Sequence, residues 1–214
     1  MAENEPPDAL LLVTPGCPHC PKVLEGLASL VKEGVVGRLE VVNVASHPET
    51  AAELGVRTAP WTRLGPFELA GAQSAEDLRR WAELAGSEAG WTAYARELLA
   101  NGQLDRAEAL AQEEPGFIRA LLPLVEDTEA PMQVRVGVGA VLEGLAGSET
   151  LRALRPRLEA LAGHDDHRVR ADACHLLGLT GDPAAAETLR ARLEDDNAEV
   201  REIAGEALEE LEGS

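Results

Sequence analysis

The chain has 214 residues, enough for one large domain or two small ones, and is 45% hydrophobic but only 3% aromatic. Its 19 basic and 38 acidic residues give a formal charge of 19 − 38 = −19. That disfavours nucleic acid and anionic membranes as partners, because both need clustered positive charge, while the low aromatic content favours packed helices over an all-β sandwich.

The opening MAENEPPDAL has no basic region ahead of an apolar core, and no run approaches the roughly 18 apolar residues of a membrane span. The expected location is cytoplasmic. Three cysteines are an odd count, unlike a disulfide-stapled secreted scaffold. In a reducing compartment a close cysteine pair points to catalysis or metal binding before structure.

Ala9–Thr14 (ALLLVT) is a continuous apolar run, the pattern of a strand buried on both faces. Pro15-Gly16 breaks it, and CPHCPK follows. Val23, Leu24, Leu27, Leu30 and Val31 then recur at helical spacing until Gly34 and Gly37. The cysteine pair therefore falls between a buried strand and the first turn of a helix. Cys17 is expected at or near the N-cap, where unpaired N–H groups and the helix dipole favour a thiolate. Pro18 suits the first helical position, and His19 can place positive charge beside Cys17. Cys20 falls one turn later and is expected to be buried. From these residues alone, disulfide exchange, half of a metal site and an accident of composition all remain open.

Arg38–Val44 reads as a second strand and Pro48–Leu54 as a short helix closed by Gly55. After VRTAP come two strands, WTRL and FELA, around Gly65-Pro66. Ser74-Ala-Glu-Asp is a capping sequence that opens a helix through Leu84. The order is β-α-β-α-β-β-α. From about Ser87 the strands stop, and two helices, 90–100 and 104–112, meet at Asn101-Gly102.

Beyond Phe117 a repeat emerges. VRVGVGAVLEGL, VRADACHLLGL and VREIAGEALEEL begin at Val134, Val169 and Val200, 35 and then 31 residues apart. Each follows an acidic turn, and before each turn stands another amphipathic helix: FIRALLPLV, TLRALRPRLEALA or AAAETLRARL. A helix-turn-helix unit stacked about three times is an α-solenoid. DDHRVRADACHLLGLTGDPA, residues 165–184, resembles a HEAT repeat, and the likeness covers roughly 116–214. It implies a surface that binds a protein partner, with each repeat valine inward and each repeat arginine paired to an acid of the preceding turn.

The first half resembles the thioredoxin-like superfamily over about residues 8–86. The carriers are C-P-H-C and Thr58-Ala59-Pro60, with Pro60 43 residues after Cys17 and ahead of a hairpin and helix. The C-P-H-C-P string is most similar to glutaredoxin-like units of protein disulfide oxidoreductases, and periplasmic disulfide oxidases share the Pro-His dipeptide. The resemblance implies a cis bond at Pro60, with the Ala59 backbone pairing to an extended substrate. Trp61, directly after Pro60, would shape or partly block that groove. Thioredoxin proper has a tryptophan before the first cysteine and a buried Asp in the strand. Here Gly16 and Leu10–Val13 stand instead, so proton transfer at Cys20 needs water or Glu25.

The expectation is an α/β thioredoxin-like domain (1–86), a connecting helical hairpin (87–115) and an all-α HEAT-repeat solenoid (116–214). The first would exchange disulfides with a protein client through Cys17, Cys20 and His19, with no cofactor and no metal, and the last would recruit a protein partner. The alternative is an adaptor whose cysteine pair is a redox switch. Cys174, at the small-residue position of its repeat, is expected to be structural, and His164 and His167 beside Asp165-Asp166 to be ordinary turn residues.

Overall fold

Four strands, β1 (Ala9–Val13), β2 (Leu39–Asn43), β3 (Trp61–Leu64) and β4 (Phe67–Ala70), form one mixed sheet in the order β2-β1-β3-β4. β1 runs parallel to β2, with Leu11 opposite Val41, and antiparallel to β3, with Leu11 opposite Thr62. β3 and β4 form the hairpin that Gly65-Pro66 turns. Side chains alternate across the sheet, so Leu11, Thr62, Leu64, Phe67 and Leu69 share one buried face. β2 is paired on one side only, and its Glu40 and Val41 are exposed. β1 is less completely buried than its apolar run suggests, since Leu10 and Val13 are half-buried.

The computed structural model describes residues 5–213. They divide between Gly90 and Trp91 into two compact units. In the first, helices α1 (Cys20–Lys32) and α3 (Ala75–Leu84) pack against one another, and α2 (Pro48–Glu53) is a short connecting helix. Val23, Leu27 and Leu30 bury one stripe of α1. α3 begins with a reciprocal capping box between Ser74 and Asp77, and its Trp81 meets Phe67 with ring centroids 5.0 Å apart. That contact sets α3 on the buried face of the sheet.

The second unit is helical. α4 (Glu88–Ala100), which spans the division, and α5 (Leu104–Glu113) lead into α6 (Pro115–Arg119), α7 (Leu122–Glu126) and α8 (Met132–Glu143). Then follow α9 (Glu149–Arg152), α10 (Arg155–Leu161), α11 (His167–Leu179), α12 (Ala186–Arg192) and α13 (Ala198–Gly213). Trp91 packs edge-on against Phe117 at 5.8 Å. Val134, Val169 and Val200, the repeat valines, are all buried. α11 packs so closely on α13 that a Cβ at Gly178 would lie 2.8 Å from the Ala207 Cβ, so only glycine fits there.

Two expectations are corrected here. FIRALLPLV and TLRALRPRLEALA are each two helices rather than one. A proline ring collides with the carbonyl four residues earlier; α6 ends at Arg119, four before Pro123, and α9 at Arg152, four before Pro156. Two of the repeat arginines, moreover, take their carboxylates from the following repeat. Arg170 donates to Asp195 at 2.9 and 2.7 Å and to Asp196 at 2.7 Å. To its own preceding turn it gives hydrogen bonds at the His164 and Asp165 carbonyls, 3.0 Å each. Arg135 likewise pairs with Asp172, one copy on, at 3.5 Å. Arg170 thus ties its own turn to the next, while Arg201, in the last copy, donates to its own turn's Asp195 and Asp196 carbonyls at 2.7 and 3.1 Å. Among the described residues no helix is long and apolar enough to cross a membrane.

Candidate dithiol–disulfide site

Cys17 and Cys20 are joined as a disulfide, their Cα atoms 5.6 Å apart. The helix that carries them begins later than the sequence suggests. His19 is the N-cap and Cys20 the first helical residue, with Pro21 second. The first bond of the helical ladder runs from the Val23 N–H to the His19 carbonyl at 3.3 Å. Pro21 has no N–H to give, so the ladder cannot start by bonding back to Cys17. Pro18 accordingly lies ahead of the helix and is exposed.

Cys17 still serves the helix end. Its Sγ accepts the Cys20 N–H at 3.1 Å, the reach of a capping side chain to the N–H three residues on. The Cys17 N–H is in turn held by the Thr14 carbonyl at 3.3 Å. An N–H aimed at sulfur from a helix N-terminus stabilises negative charge on that sulfur. Exposure separates the pair: Cys17 is half-exposed, while Cys20 is 6% exposed. His19 is exposed and makes no capping bond through its side chain. Glu25 also faces solvent.

The Ala59–Pro60 bond is cis. Leu12, five residues before Cys17, pairs with Trp61, the residue directly after Pro60. Thr14, Arg57, Thr58 and Ala59 line one cleft of about 170 Å³, with Leu12 and Val44 among its walls. Pro60 itself is buried, its carbonyl accepting the Gly71 N–H at 2.9 Å, and Thr58 is exposed. Ala59 is half-buried, and among the described residues neither its N–H nor its C=O is engaged in a backbone hydrogen bond. Trp61, at 6% exposure, packs into the sheet. Thr14 and Arg57 escaped sequence reasoning. Their signal was positional, one between the strand and the first cysteine, the other just before Thr58-Ala59-Pro60.

The third cysteine lies elsewhere. Cys174 is wholly buried, and burial pushes its thiol up to about 11. His164 accepts the Asp166 N–H through Nδ1 at 3.0 Å, fixing the turn before α11. No group of His, Cys, Asp and Glu able to hold a metal occurs among the described residues.

Comparison with known families agrees with this architecture. A thioredoxin domain model matches residues 9–83, and a HEAT-repeat model matches residues 118–209. The chain is therefore similar to thioredoxin domains in its first part and to HEAT repeats in its second. No curated protein matches it.

Proposed function

We propose that this protein, a thioredoxin-like domain joined to HEAT repeats, is a thiol–disulfide oxidoreductase acting on a protein client that the repeats recruit. The observation that carries the reading is the Cys20 N–H held 3.1 Å from the half-exposed Cys17 Sγ, because it favours the thiolate on the sulfur a client can reach.

In the reducing direction, the Cys17 thiolate attacks one sulfur of the client disulfide. The client S–S bond breaks, one client thiolate leaves, and Cys17 holds the other sulfur as a mixed disulfide. Cys20, its proton passed to water, attacks the Cys17 Sγ and expels the second client thiolate. Two electrons have moved to the client, and the protein is left as the Cys17–Cys20 disulfide. Water would be the proton route, Glu25 itself facing solvent. His19, beside Cys17, would supply positive charge to its thiolate. The unengaged Ala59 backbone would pair with an extended client segment, with Pro60 and Thr58 shaping the turn. Trp61, buried in the sheet, would back the groove.

The odd cysteine count supports a cytoplasmic setting, where a thiol pool would return the pair to the dithiol. No cofactor or metal enters the chemistry.

Three forms of the full chain and a fluorogenic mixed-disulfide peptide test the proposal. The wild type turns over. Cys17→Ser loses exchange by about 100-fold or more, a lower bound on what losing a catalytic nucleophile costs. Cys20→Ser accumulates a covalent adduct at Cys17, seen as a mass increase on the intact protein. Exchange at the wild-type rate in Cys17→Ser would refute the assignment and leave an adaptor with a redox-switched cysteine pair as the better account.

A further inference from the structure

The second unit contains a groove of about 360 Å³ walled by α7, α8 and α11. Its floor is apolar, with Leu124, Leu142 and Leu176. On its lip stand Met132 and Val136, one turn apart on α8, at 72% and 63% exposure. These are the most exposed of the large apolar side chains among the described residues. The α8 stripe continues to Gly139 and Glu143, which also line the groove.

Gly139 is the informative residue. A Cβ built there would meet nothing within 4 Å. Glycine inside a helix costs about 1 kcal/mol relative to alanine, and at Gly178 a close helix contact explains that cost. At Gly139 no neighbour explains it. The matching position in the next copy is the fully buried Cys174, and in the last copy it is Gly205, where a Cβ would touch Leu193 at 3.8 Å. Of the two glycines, only Gly139 has nothing within 4 Å of the place a Cβ would take.

The groove also indicates what fills it. Among the described residues the second unit holds no strand, so there is no sheet edge to satisfy an incoming extended backbone. An occupant that brings its own backbone hydrogen bonds, an amphipathic helix, suits such a groove better than an extended strand. Charge selects the sign. Arg135 is committed to Asp172, whereas the Glu143 carboxylate, 3.3 Å from His175, meets no arginine or lysine among the lining residues. Residues 1–86 carry 7 basic and 12 acidic side chains, leaving 12 and 26, a net −14, for residues 87–214. A second copy of this chain, itself at −19, would meet like charge.

We infer that the α7–α8–α11 groove docks a cationic amphipathic helix of another protein, which seats apolar side chains over Gly139 between Val136 and Leu176 and a basic side chain at Glu143. The inference rests on the recruiting role proposed above and is independent of the cysteine pair.

The test uses the full chain and a cysteine-free, fluorescently labelled peptide of about 15 residues, with leucine at i, i+3, i+4 and i+7 and lysine on the other positions. Fluorescence anisotropy should show saturable binding. Gly139→Leu, which fills the groove without changing any charge, should weaken it by about tenfold or more, as expected when buried anchors are excluded. Should Gly139→Leu disturb folding by circular dichroism, the Met132→Gln/Val136→Gln double variant carries the same expectation from exposed positions. A version with glutamate for every lysine should not bind.

Absence of lysine-peptide binding, or equal binding by wild type and both groove variants, would overturn the proposal; the latter would mean unspecific charge attraction. Equal binding of the glutamate peptide would overturn the cationic partner. A change in the free protein's sedimentation on filling the groove would assign it to a second copy. None of these outcomes touches exchange at Cys17, so failure here is distinguishable from failure of the redox reading.

Discussion

Cys17 and Cys174 are the same residue type in opposite surroundings, and their contrast is measurable. Cys17 is half-exposed and accepts a helix-end N–H, whereas Cys174 is sealed and its thiol pushed up to about 11. The reduced native protein treated with iodoacetamide at neutral pH should therefore be alkylated first at Cys17, and at Cys174 only after unfolding; peptide mass mapping reads this. Early labelling of Cys174 would contradict its burial. Thr62 offers a second test. Its Oγ1 is buried on the closed face of the sheet with no protein partner among the described residues. An unsatisfied buried hydroxyl is costly, so Thr62→Val should raise stability by about 1 kcal/mol in urea unfolding. A loss of stability would show that the hydroxyl has a partner. The C-P-H-C string was plain in the sequence because its chemistry is local. The start of its helix was not, because Pro21 moves the first ladder bond to His19, and the orphaned Thr62 was not, because its neighbours Leu11 and Leu69 come from two other strands.

Among the elements, the repeat turns carry the most concentrated polar energetics. Arg170 and Asp195 form a nearly buried pair, their side chains 10% and 3% exposed. Removing one partner leaves the other charge buried, so Arg170→Met should destabilise the protein by about 3 kcal/mol or more in denaturant unfolding. A change within about 0.5 kcal/mol, the size usual at surface sites, would contradict the role given to this pair. The Arg170 guanidinium holds the Asp195 carboxyl below the usual carboxylate range. A lowered folded pKa contributes stability that is fully present above the unfolded value of about 4 and is lost as pH falls through the folded one. The stability gap between wild type and Asp195→Asn should accordingly be flat from neutral pH to about 5 and close on further acidification. A gap that widened in acid would reverse the assignment. The V-R anchors and acidic turns were legible as a period. The arginine's partners were not, because they depend on how successive turns stack, which lies outside any single copy. The helix breaks could have been read, since Pro123 and Pro156 each mark the end of a helix four residues earlier.

For the whole molecule, the change of grammar near Ser87 foretold a sheet-bearing part and a helical part. The structural division falls slightly later, at Gly90–Trp91 and inside α4, because a helix need not end where packing partners change. On the proposed function, an exchange site and a recruiting surface on one chain would make reaction with a docked client effectively intramolecular, so that specificity would come from local concentration. That advantage exists only if the cysteine pair cycles. The most direct test is a glutathione redox titration of the purified full chain, following the Cys17–Cys20 pair by alkylation and intact mass. The account predicts a reversible two-electron transition within the range of catalytic dithiols, about −270 to −120 mV, and its loss in Cys17→Ser. A pair that stays oxidised below about −300 mV, as structural disulfides do, or one with no reversible transition, would contradict it.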